Sequence, residues 1–278
     1  MEEFQKQLKK MSYDVTLAIR QAQLLQHSLD GVKVSLSHLQ STLRGRVDFS
    51  QEKKPLEADV ASAAFEYNLR EPVPYFYSRT KELNKISSIL HGEPKNYKLN
   101  VLLSGIGGVG KTQTVLRYIQ QEKNRYDNIL WIDSSSVVSI ERHIKKIALK
   151  LRIVSEKCKD IDTIIALFYE NIGKHGKTLM VFDNLEKYTR DEYDRFLPRR
   201  HDKAKLRSIA TSIHTQLTPV LTPELNIGVS TFTADESSQF LRQQLRREDI
   251  TPEIINDLGE SFSYHPLALA IAVGLIET

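Results

Sequence analysis

The sequence predicts an α/β three-layer sandwich on a parallel five-stranded sheet, followed by a small helical domain and preceded by N-terminal α-helices. Three observations lead there. From Tyr75 onward, short apolar runs alternate with amphipathic stretches, the texture of strands buried on both faces and joined by crossover helices. A glycine-rich stretch, Gly105-Ile106-Gly107-Gly108-Val109-Gly110-Lys111-Thr112, stands between the first apolar run and the first helical one. After Thr233 the strand-like runs stop and only helical patterns remain.

The elements follow in order. Residues 1–45 place Leu8, Met11, Val15, Ala18, Ala22, Leu25, Leu29, Val32, Leu36, Leu39 and Leu43 at spacings of three and four, a heptad seam that Gly31 interrupts. Two readings stay open for it: an oligomerising coiled coil, or one or two amphipathic helices packed in a bundle. Residues 46–74 lose the pattern and read as a linker with a short helix over Ala58–Tyr67, stopped by Pro72 and Pro74. Five strands are expected at Lys98–Ser104, Ile129–Asp133, Thr178–Asp183, Leu206–Thr211 and Leu225–Ser230, with helices at Lys111–Gln121, Ile140–Leu151 and Ile161–Ile172 between them. Right-handed crossovers then bring the glycine-rich stretch to the carboxyl edge of the sheet. Three helices close the chain, at Asp235–Leu245, Thr251–Ser261 and Leu267–Ile276. The implied domains are 75–232 for the α/β part and 233–278 for the helical part.

Composition excludes several classes. A single cysteine, Cys158, rules out an internal disulfide framework and fits a reducing compartment. The net charge of +4 is mild, and basic residues are scattered among acidic ones, so no nucleic acid partner is expected. The N-terminus is polar, without the apolar core of a signal peptide, and Pro266–Ile276 is too short to span a bilayer. The expectation is a cytoplasmic protein.

The glycine-rich stretch reads G-x-x-x-x-G-K-T, a phosphate-binding loop. Gly105, Gly107, Gly108 and Gly110 let successive backbone N–H groups, including that of Val109, turn around a phosphate at a helix N-terminus. Lys111 would reach the β- and γ-phosphates, and the Thr112 hydroxyl would ligate Mg²⁺. The strand Thr178-Leu179-Met180-Val181-Phe182-Asp183 ends in the carboxylate such a site needs, so Asp183 is the second expected Mg²⁺ residue, and Lys111 and Asp183 the expected catalytic pair. The next position, where a water-activating acid would stand, is Asn184, and an amide cannot take a proton from water. Nucleotide binding is expected, rapid hydrolysis is not.

Several stretches in order resemble the NB-ARC domains of the STAND class of P-loop NTPases, over residues 72–278. Gly105 to Gln113 looks like their phosphate loop, Trp131–Ser136 their second strand, Val181-Phe182-Asp183-Asn184 their metal strand, and Phe196-Leu197-Pro198 the short motif after it. Tyr75–Leu83, with Tyr77 and Arg79, resembles the segment whose backbone holds adenine, and His265-Pro266-Leu267-Ala268-Leu269 a proline motif in which Pro266 would pack on adenine or ribose. The resemblance implies ADP or ATP with Mg²⁺ as ligands, Gln113, Tyr77, Arg79 and Pro266 as further contacts, and protein partners or self-association through the N-terminal helices. Two departures stand out: Ser78 replaces the usual glycine before the arginine, and Ile213 stands where an arginine would sense the γ-phosphate. The sequence leaves a nucleotide-dependent signalling switch, with slow or absent hydrolysis, beside a non-catalytic interaction protein. A DNA-acting origin-recognition-like ATPase fits less well, for want of a basic patch.

Overall fold

A computed structural model describes residues 65–92, 99–198, 205–217, 223–245 and 250–277. The heptad segment 1–45 and the linker up to residue 64 lie outside the described residues. The described chain runs β1 (Phe65–Tyr67), α1 (Thr80–His91), β2 (Val101–Ser104), α2 (Lys111–Glu122), β3 (Asn128–Asp133), α3 (Val137–Lys150), α4 (Ile161–Asn171), β4 (Thr178–Asp183), α5 (Arg190–Phe196), β5 (Leu206–Ser212), β6 (Asn226–Gly228), α6 (Ala234–Gln244), α7 (Pro252–Ser261) and α8 (Pro266–Ile276).

The strands form one sheet in the order β1-β3-β4-β5-β2-β6, every neighbouring pair parallel. The sheet therefore has six strands, not the five expected. The extra one is β1, part of the stretch read as a helix over Ala58–Tyr67. Its three residues pair with Asn128, Ile129 and Leu130, and Phe65 N–H donates to Asp127 O at 2.8 Å. So short an edge strand owes its form to its partner, and its own sequence has no room to show a period.

Alternation along the strands sorts the core into two layers. Leu102, Leu130, Ile132, Met180, Phe182 and Ala210 face α3, α4 and α5 in one cluster. Val101, Leu103, Ile129, Trp131, Leu179, Val181 and Ile209 face α1 and α2 in the other. Strands buried on both faces read as continuous apolar runs, which is why the sequence located them. Polar caps set the helix starts: Ser136 Oγ accepts from Ser139 N–H at 3.2 Å before α3, Asp160 accepts from Thr163 N–H at 2.9 Å before α4, and Thr189 with Glu192 forms a capping box at α5.

His143 is buried in the first layer beneath β1, edge-on to Tyr67 with ring centroids 5.6 Å apart. Its Nδ1 has no hydrogen-bond partner among the described residues. Burial first, and then Arg142, push its pKa below the usual histidine value, against the pull of Asp133. With the folded pKa below the unfolded one, the unfolded chain binds the proton more readily. This contribution to stability is complete above about pH 6.5 and falls as the pH drops further. His143→Leu is expected to flatten the decline in urea midpoint between about pH 6.5 and 5; an unchanged slope would show that His143 is not its source.

The chain divides into two compact units, one spanning Ser62–Glu236 and the other, among the described residues, 237–277. In the second, Thr251 caps α7, and Pro252 takes the first helical position, where its missing N–H costs nothing. His265 Nδ1 accepts from Ala268 N–H at 3.4 Å to cap α8. Leu241, Leu258, Leu269 and Ala272 are fully buried. Among the described residues no helix is long and apolar enough to cross a membrane.

Candidate functional site

β2 ends at Ser104 and hands the chain to the phosphate loop, which winds into α2 at Lys111. Gly108 and Gly110 hold φ of 74° and 101°, and Gly110 is the residue that caps α2. Left-handed glycines set among ordinary residues turn successive N–H groups toward one point, a concavity suited to an anion. The loop is anchored behind, where Gly105 N–H donates to Ser212 O at 3.3 Å and Val229 N–H to Ser104 O at 2.7 Å. Val109 is fully buried in the second core layer, so it can serve a ligand only through its backbone.

Lys111 is only 8% exposed. Its ammonium donates to Gly105 O at 2.7 Å and Ile106 O at 2.8 Å, leaving a third hydrogen for a phosphate oxygen. Burial lowers its pKa, and the carboxylate of Asp183 opposes that shift. A partly desolvated ammonium is a stronger partner for an anion than one in water.

Asp183 ends β4 beside the loop, as the sequence suggested. Thr112 Oγ1 donates to Asp183 Oδ1 at 2.9 Å, and Thr211 Oγ1, from β5, donates to the same oxygen at 2.6 Å. Thr211 and Ser212 brace this corner: Thr211 Oγ1 accepts from Asn184 N–H at 3.0 Å, and Ser212 Oγ donates to Leu185 O at 2.6 Å. Asn184 has φ 58°, a left-handed conformation that asparagine tolerates better than most residues. Backbone geometry thus accounts for the amide directly after Asp183. Glu186, the next acid in sequence, pairs with His214 Nε2 at 3.0 Å, while Asp133, paired with Asp183 across the strands, accepts from Ser139 Oγ at 2.7 Å. Ile213, where an arginine was expected, is 57% exposed just past β5.

Arg79 has a role the sequence did not disclose. It is 5% exposed; one Nη donates to Val109 O at 3.0 Å and Ser230 O at 2.9 Å, the other meets Glu82 at 3.5 Å, and the guanidinium lies 5.0 Å from the Phe232 ring centre. Arg79 therefore clamps the back of the phosphate loop to the chain leaving β6. Tyr77 meets the same Phe232 edge-on at 5.7 Å. Ser78 holds φ of 21°, at the margin of the region that favours glycine, consistent with the glycine expected there. Gln113 Oε1 accepts from Val73 N–H at 2.9 Å, holding the preceding segment against α2. Pro266 is the first residue of α8, in the carboxyl-terminal unit.

The NB-ARC domain family matches residues 79–250, more than half the chain and all of the loop, acid strand and clamp just described. The chain belongs to the NB-ARC family. An NB-ARC domain is a nucleotide-binding module. No curated protein matches it. Solved structures share the fold of this NB-ARC chain at low identity. Cdc6p from Pyrobaculum aerophilum is 15% identical with a TM-score of 0.51, over 75% of this chain and 62% of its own. Drosophila ORC bound to DNA is 18% identical with a TM-score of 0.53, over 87% and 68%. A STAND protein with a tetratricopeptide repeat sensor from Pyrococcus horikoshii is 22% identical with a TM-score of 0.49, over 76% and 32%.

The NB-ARC module's residues fit the nucleotide and Mg²⁺ that P-loop NTPases bind. Thr112 and Asp183 offer a hydroxyl and a carboxylate oxygen, hard donors that suit Mg²⁺. Among the described residues no cluster of three or more His, Cys, Asp or Glu side chains could hold a metal alone.

Proposed function

We propose that this chain is an ADP- or ATP-binding signalling switch with slow or absent hydrolysis. The observation that carries the reading is the 2.9 Å contact of Thr112 with Asp183 beside the buried Lys111. It supports the reading because a hydroxyl and a carboxylate fit for Mg²⁺ then meet beside an ammonium fit for phosphate. Slow turnover is supported by what surrounds it. Asn184 cannot serve as a base, Glu186 is engaged by His214, and Ile213 offers no charge to a γ-phosphate. When bound, Mg²⁺ would neutralise phosphate charge; Lys111 would hold the phosphates, and Thr112 and Asp183 would hold the cation. Exchange of ADP for ATP would change which conformation is favoured, in cytoplasmic signalling through partners or copies that meet the N-terminal helices.

The test is nucleotide itself. Denaturing the purified protein is expected to release ADP, and Lys111→Ala is expected to weaken ADP binding at least 100-fold, about 3 kcal/mol, without unfolding the chain. Titration calorimetry on both proteins decides it. The absence of binding at millimolar nucleotide would leave the second reading, a non-catalytic interaction protein, which the exposed Ile213 favours.

A further inference from the structure

The edge of the sheet opposite the phosphate loop holds a cleft of about 460 Å³. The last turn of α1, the turn after α2 and the amino ends of β3, β4 and β5 surround it, and His91, Arg125, Asp127, Lys177, Lys205 and Arg207 line it. Strand register explains how residues so far apart in sequence meet. Thr178 pairs with Leu206, and Thr178 N–H donates to Lys205 O at 2.7 Å, so Lys177 and Lys205 are neighbours one step before the paired strands begin. Arg207 lies two residues beyond Lys205, on the same face by the period of a strand. These positions continue the rows of Leu179 and Ile209, which face α1 and α2.

Four permanent cations thus share the cleft with one carboxylate, Asp127, which accepts a hydrogen bond from Lys177 N–H at 2.7 Å. Some of this charge is accounted for within the fold. Arg207 Nε donates to Leu90 O at 2.8 Å, complementing the carbonyl end of α1, and Arg125 pairs with Glu122. Lys177 and Lys205 are different. Neither ammonium has a hydrogen bond or ion pair with any described residue, and like charges side by side on neighbouring strands repel.

We propose that this cleft binds a small ligand with more than one phosphate group, held between Lys177, Lys205 and Arg207. The volume suits a small molecule. Arginine and lysine are the side chains that recognise phosphate, by fork and by point charge respectively. Asp127 sets a limit on orientation, since the phosphates must lie toward the lysines and away from it. No basic patch is visible in the sequence because the residues involved are dispersed along the chain and converge only through strand pairing.

Titration of the full-length protein with inorganic pyrophosphate, in excess ADP and Mg²⁺ to occupy the phosphate loop, tests the proposal. One site is expected, weakened at least tenfold by Lys177→Gln/Lys205→Gln and unchanged by Lys146→Gln/Lys157→Gln, which removes the same charge elsewhere. Without pyrophosphate, the Lys177→Gln/Lys205→Gln protein should melt no lower than the parent, because repulsion has been relieved; pyrophosphate should raise the parent's melting temperature but not the variant's. Absence of binding, equal binding by both double variants, or a lower melting temperature of the cleft variant without pyrophosphate would overturn the assignment.

Discussion

Gly105→Ala is expected to destabilise the fold by about 3 kcal/mol, more than an alanine at other glycines of the same sheet edge. The first atom of any side chain there would sit 2.2 Å from Val229 O, a backbone oxygen with no rotamer to escape into. Gly105 also has φ +154°, far from the values alanine prefers. Accommodation would push the exit of β6 from the phosphate loop and disturb Gly105 O, which accepts from Lys111. Two other glycines separate these causes. Gly110 has open space around it but φ +101°, so alanine there should cost about 1 kcal/mol, through strain alone. At Gly228 nothing lies within 4 Å of the added atom, and its φ is not in that region, so alanine should change little. Urea midpoints in the order Gly228→Ala, Gly110→Ala, Gly105→Ala, highest to lowest, are the expected result. A Gly105→Ala protein as stable as the parent would refute the close approach.

Arg79→Met should cost about 3 kcal/mol and loosen the phosphate loop at the same time. Methionine keeps much of the packing against Phe232 but donates no hydrogen bond. Val109 O would lose a charged donor in a buried place with little water, and Ser230 O would lose one in a partly buried place. For a unit of this size that loss lowers the melting temperature by about 6–12 °C. ADP affinity should fall too, although on this reading the guanidinium acts as a positioning residue. Arg79→Lys distinguishes clamp from charge: one ammonium should not span both carbonyls with the arginine's geometry, so lysine should restore only part of the loss. Full rescue by lysine would mean that charge alone matters.

Much of this could be read from residues because buried parallel strands and a phosphate loop have strong local signatures. The limits of Thr178–Asp183 agree at both ends, since an apolar run closed by an acid is unlike its surroundings. Helix α5 is not legible in the sequence, although Thr189 and Glu192 spell a capping box, because seven mostly polar residues show too little periodicity. α1 has no counterpart among the helices expected from sequence, and the segment Tyr75–Leu83, which resembles an adenine-holding stretch, covers only its first four residues. Other features have no local signature at all. Arg79 meets Ser230 across 151 residues, and Thr211 shares an oxygen of Asp183 with Thr112 only because β4 and β5 are paired in one register. Asn184 carries two readings at once: its amide cannot take a proton, and the backbone there asks for a residue that tolerates positive φ.

Strand β4 is also a ruler. It begins one residue after Lys177 and ends at Asp183, a rise of about 20 Å at 3.3 Å per residue. One strand, buried along its length, thus has the proposed Mg²⁺ carboxylate at one end and, one residue before the other, a lysine of the basic cleft. If occupancy at one end alters affinity at the other by some factor, thermodynamics requires the same factor in return. Pyrophosphate titrations at fixed ADP and ADP titrations at fixed pyrophosphate must then give one number, and that number is the coupling between the two edges of the sheet.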